Sequence, residues 1–149
     1  MSPRRILADA HTALAVRRVQ EQAALYGLQA QRQAEERART ELDARVRAQA
    51  DSEAVWEAFL RGPVFDPVAE ALWRGDAHAA MHQVQSGEEA LAAEVEASRA
   101  RRNAWARQLQ LADAAQTVLR SAARNAARRD EAARLADAED LLRSRGERS

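Results

Sequence analysis

The sequence predicts an all-α protein in which two long helices pair as an antiparallel coiled-coil hairpin. Three observations carry this expectation. Apolar residues recur every seven positions through two long segments; helix-forming alanine, arginine, glutamate, leucine and glutamine dominate the composition; and turn-forming residues cluster at one place between the segments. Alanine supplies 37 of the apolar residues against 14 leucines, 9 valines and six aromatics, which is too little bulk for a deep core but enough for a thin seam between helices.

The first helix is expected over about residues 5–60. Steps of seven from Leu7 pass through Leu14, Glu21, Leu28, Glu35, Leu42, Gln49 and Trp56, and positions four residues further on bring in Leu25, Val46 and Leu60. A connector is expected over 61–76, because Gly62, Pro63 and Pro67 fall together there. Within it, Asp66 before Pro67 is a good cap for a short helix over 67–74 that stops near Gly75. The second long helix is expected over about 77–143, with a seam of Val84, Leu91, Ser98, Trp105, Ala112, Leu119, Ala126 and Ala133, accompanied by Met81, Val95, Leu109 and Ala123. Ser86-Gly87-Glu88-Glu89 resembles a capping box, but the heptads continue through it, so no more than a kink is expected.

In an antiparallel pair, facing residues have numbers that add to a constant. Heptad phase permits 130, 137 or 144, and 137 places apolar on apolar: Trp56 on Met81, Val46 on Leu91, Leu42 on Val95, Leu28 on Leu109, Leu25 on Ala112 and Leu14 on Ala123. The same register sets Glu35 against Arg102, Glu21 against Gln116, His11 beside Ala126, and Arg32 over the ring of Trp105. At 130, Leu42 would face Glu88 and Leu28 would face Arg102, so 137 is the expected register. A parallel dimer would stack Glu21 and Glu35 on their own copies, so a monomeric, elongated single-domain hairpin spanning 1–149 is expected.

Composition and motifs argue against catalysis. A two-helix assembly offers no concave pocket with convergent polar groups, so no catalytic residues, cofactor or metal site are expected. His78 and His82 stand four apart without the intervening glutamate of a zinc-protease helix, and Glu88, Glu89, Glu94 and Glu96 fit a solvated face. Cysteine is absent, and all 23 basic residues are arginine, so there is neither a thiolate metal site nor a phosphate-loop lysine. No apolar run is long enough to span a membrane, no cleaved leader is apparent, and a cytoplasmic location is expected.

Net charge is zero but unevenly placed: +3 over residues 1–50, −8 over 51–96 and +5 over 97–149. Arg17, Arg18, Arg120, Arg124, Arg128 and Arg129 therefore form a candidate basic surface near the termini. Aromatic residues to stack on bases are missing there, so an acidic protein surface or a merely solubilising role fits better than nucleic acid. At the connector, Val64, Phe65, Asp66 and Trp73 either close the hinge or form a docking knob.

The Leu14-Ala-Val-Arg-Arg-Val-Gln-Glu21 segment, the Gly62-Pro-Val-Phe-Asp-Pro67 break, and the closing Arg128-Arg-Asp-Glu131 and Asp137-Ala-Glu-Asp140 runs resemble the stalk proteins of type III secretion and flagellar export. The resemblance extends over nearly the whole chain. It implies a non-enzymatic helical hairpin set in the pore of a hexameric secretion ATPase, peripheral to the inner-membrane export apparatus and in contact with export-gate proteins or secretion chaperones. Two other readings of the pattern are a tethering coiled coil and a regulator that inserts an acidic tip, Asp66, Glu70 and Asp76, into a partner's channel.

Overall fold

Residues 2–148 are described by the computed structural model, and they form two helices packed against each other in a hairpin. Helix α1 spans Pro3–Leu60 and α2 spans Pro67–Glu147. Ser2 caps α1: its Oγ accepts the Arg5 N–H at 3.2 Å, and Pro3 takes the first helical position, where no N–H is needed. At the other end, the Gly62 N–H closes a tight turn on the Phe59 carbonyl at 3.1 Å. Asp66 then caps α2, its carboxylate accepting the Val68 N–H at 3.0 Å and its carbonyl the Glu70 N–H at 2.9 Å.

The expected short helix over 67–74 is not a separate element, because the helix that starts at Pro67 runs straight on into α2. Glycine at an exposed helical position costs only about 1 kcal/mol relative to alanine, and no proline follows Gly75, so a helix already nucleated at Asp66 propagates through it. It also continues through Ser86 and Gly87, as the heptads require.

The chain divides into two compact units. One is Tyr26–Asn103, and the other joins the residues up to Leu25 with those from Ala104 onward. In the Tyr26–Asn103 unit, Leu28 is 1% exposed, Ala77, Val84 and Ser98 are buried, and Leu42, Trp56 and Leu91 are half-buried. Leu42 nests over Gly87, where an added Cβ would stand 3.2 Å from its Cδ1, and the Arg45 guanidinium donates to the Gln83 carbonyl at 3.1 Å. Facing residues therefore have numbers that add to about 129, one heptad away from the expected 137.

This register corrects the sequence reading, and its cause is local. In this unit the companions of the leucine seam lie three residues on, not four: Ala38, Arg45 and Phe59 are half-buried, while Val46 and Leu60 are exposed; in the other unit Leu25, four residues after Glu21, is half-buried as expected, together with Ala24. On α2 the companions are Ala80, Gly87 and Glu94, which leaves Met81 and Val95 exposed. Gly87, without a side chain, makes room for Leu42 and for the stem of Arg45.

Polar residues complete the seam. Gln31 donates from Nε2 to both the carboxylate and the carbonyl of Glu94, and Ser98 Oγ donates to Glu35 at 3.3 Å. Arg39 approaches the same Glu35 carboxylate at 3.7 Å, so the expected pairing of Glu35 with Arg102 is replaced by Ser98 and Arg39.

In the other unit, Ala10, Leu119 and Ala122 form a small buried cluster against which Leu7 and Leu14 pack. Ala112 and Ala126 are also buried, and Leu109 is half-buried. The Trp105 Nε1–H donates to Glu21 at 3.2 Å, so the polar partner of this ring is Glu21 and not Arg32, and Glu21 is engaged by Trp105 instead of Gln116. His11 is exposed because Ala10, not His11, occupies the seam, and Ala123 is exposed for the same reason. Beyond Ala126, every described residue of α2 is exposed.

Candidate partner-binding surfaces

Two surfaces follow from the sequence, and each lies within one unit. At the hinge, the chain must turn within a few residues, and Leu60, Val64, Phe65, Val68, Leu72 and Trp73, all in the turn or the helix ends beside it, are each exposed. Phe65 tilts against Phe59 with ring centroids 6.4 Å apart, yet it remains 64% exposed, and Val64 is 74% exposed. Trp73 is 38% exposed. The contact with Phe59 thus closes the turn only in part and leaves an apolar surface.

Three acidic groups of the same segment are each engaged. Asp66 is committed to capping α2, Glu70 pairs with Arg74 at 3.5 Å, and Glu57 approaches Arg61 at 3.8 Å. Just behind it, Trp56 meets the edge of His78 with centroids 6.3 Å apart, while the buried Trp56 Nε1–H has no hydrogen-bond partner among the described residues. His78 and His82 both lie at the surface, and among the described residues no three potential metal ligands cluster.

The basic surface lies in the unit that holds both ends of the chain. Arg120, Arg124 and Arg128 follow one another at four-residue spacing along α2 and all point into solvent, without an ion-pair partner among the described residues. Arg129 is exposed beside Pro3, Ile6 and Asn125. Arg18 approaches Asp113 at 3.9 Å, and Arg17 donates to Gln20 at 3.3 Å while half-buried at the edge of the seam. Arg17 and Arg18 are therefore already engaged, whereas Arg120, Arg124 and Arg128 are free to meet carboxylates.

The same unit contains a surface that the sequence reading missed. Ala13 and Arg17 of α1, with Leu111, Ala114, Ala115 and Val118 of α2, line a shallow apolar groove. Leu111 and Val118 stand seven residues apart outside the seam, which was the available signal; it was masked by the stronger Ala112–Leu119 repeat beside it.

The fold defines an all-α, coiled-coil-like helical hairpin. Comparisons of the chain with protein-family models, with curated proteins and with solved structures found no match. No helix among the described residues is long and apolar enough to cross a membrane.

Proposed function

We propose that this chain is a non-enzymatic stalk component of a type III secretion or flagellar export apparatus, which binds a hexameric secretion ATPase on the cytoplasmic side and contacts an export-gate protein or a secretion chaperone. The observation that carries the reading is the hinge, where six large apolar side chains stand exposed within an acidic setting on a two-helix hairpin. Such a concentration of apolar surface is costly to leave in water and is typical of a site that meets another protein. The free arginines Arg120, Arg124 and Arg128 supply a second contact suited to a ring lined by carboxylates. The fold needs no cofactor for either role.

The test is direct binding of the purified chain to the secretion ATPase and to the soluble export-gate domain of the same genome, at low salt. The proposal expects saturable binding to at least one of them, lost when Phe65→Ser and Trp73→Ser are combined or when the three arginines are reversed, with helicity unchanged by circular dichroism. Absence of binding to both by the well-folded wild type would overturn the stalk reading and leave a tethering coiled coil.

A further inference from the structure

The groove beside Leu111 and Val118 extends beyond a single hollow. Leu111 and Val118 border it along α2 and Ala10 and Ala13 along α1, and one turn further on both helices Ala122, Asn125 and Arg129 line a second hollow with Pro3 and Ile6. Ala10 and Ala122 are buried in its floor, while Ile6, Leu111 and Val118 stand 43%, 36% and 60% exposed along it. A floor of such small side chains leaves room for a third helix at the usual distance of about 8–10 Å between axes.

Charge on this face is positive at both ends. Arg107 stands four residues before Leu111 and Arg129 four after Asn125, so both share the groove's face of α2, about 33 Å apart at ~1.5 Å per residue. Both are exposed and have no ion-pair partner among the described residues. Arg17 lines the groove from α1 beside Leu111, and its bond to the neutral amide of Gln20 leaves its charge uncompensated. The carboxylates of this stretch are mostly placed elsewhere. Asp113, two residues from Leu111, lies on the other side of α2 towards Arg18 at 3.9 Å, and Glu21 accepts the Trp105 N–H. Asp9, one turn before Ala13, borders the middle of the α1 edge.

We propose that the groove receives an amphipathic helix of a partner protein, apolar along one face and carrying carboxylates near each end. Large apolar side chains repeating at seven-residue spacing interleave with Leu111 and Val118 and rest on the alanines between them. The carboxylates at one end meet Arg129, and those at the other meet Arg17 and Arg107. A helix with basic ends is rejected, because docking would bring like charges together as it excludes water. This surface is neither the hinge nor the row of Arg120 and Arg124, which projects from the opposite side of α2, so the inference stands independently of the stalk reading.

The probe is a synthetic helix of about 22 residues, the length of the groove, with leucines at seven-residue spacing and glutamates at both ends. A second peptide replaces those glutamates with lysine. In fluorescence anisotropy with the full chain, the acidic peptide should bind saturably and about tenfold or more tightly than the lysine peptide, and raised salt should narrow the difference. Val118→Glu alters a side chain that is exposed within the chain, so helicity should persist while affinity for the acidic peptide falls by about tenfold. Arg107→Glu combined with Arg129→Glu should invert the preference between the two peptides, an outcome that loss of folding cannot produce. Failure of the acidic peptide to bind, equal affinity for both peptides, or binding indifferent to Val118→Glu would each overturn the proposal. A mass that doubles with concentration in the absence of peptide, and that Val118→Glu returns to 16.5 kDa, would overturn it by assigning the groove to a second copy.

Discussion

Two glycines sit in the same helix and differ in what surrounds them. At Gly75 an added methyl meets nothing within 4 Å, so Gly75→Ala should stabilise α2 by about 0.5–1 kcal/mol through helix propensity alone, read as a higher melting temperature. At Gly87 the same methyl would come within 3.2 Å of Leu42 Cδ1 and 3.3 Å of Arg45 Cδ. A still larger side chain there, as in Gly87→Leu, should destabilise by about 1–3 kcal/mol despite its better propensity, because the space it needs is already filled. Leu28 answers the complementary question of what filling the seam contributes. It is nearly fully buried, so Leu28→Ala should cost ~2–5 kcal/mol, and a melting curve superimposable on wild type would contradict the burial seen here.

Each helix begins at a side-chain cap, and the second cap has the more testable role. Asp66→Ala removes the acceptor of the Val68 N–H and should cost about 1 kcal/mol in thermal denaturation, whereas Asp66→Asn or Asp66→Ser should retain most of the stability. The cap at Asp66, the break at Gly62–Pro63 and the leucine seam of α1 were legible in the residues, because each depends on local chemistry. The end of the short connector helix was not, since Gly75 suggests a stop but has too small a penalty to impose one. Register was misread for a related reason. Large residues such as Val46, Met81 and Val95 drew the heptad companions to the fourth position, while the third position holds Ala38, Ala80 and Gly87, weak signals individually, beside the polar Arg45 and Glu94. The pairing of Glu35 with Ser98 and of Trp105 with Glu21 follows from that register and could not be read without it. Of the candidate surfaces, charge exposed the arginine face and proline the hinge, but the groove beside Leu111 and Val118 depends on which face of α2 the seam leaves free.

For the whole molecule, zero net charge conceals the separation that its proposed role uses: an acidic middle segment and basic flanking segments along the chain. Exposed ion pairs contribute only ~0.2–1 kcal/mol each, so single arginine changes should have small effects. Arg120→Glu, Arg124→Glu and Arg128→Glu together should weaken binding to the secretion ATPase while leaving helicity near that of wild type, and raised salt should weaken the wild type similarly. Unaltered stimulation of the ATPase by the triple variant at low salt would move the docking surface to Phe65 and Trp73. All of these expectations presuppose how α1 and α2 pair. The chain has no cysteine of its own, so a disulfide between two introduced cysteines reports that pairing directly. Under mild oxidation, Leu42→Cys with Gly87→Cys should cross-link within one chain, while Leu42→Cys with Val95→Cys, about two turns further along α2, should not. Efficient intrachain bonding of the second pair but not the first, or bonding of the first pair only between chains, would contradict the hairpin register described here.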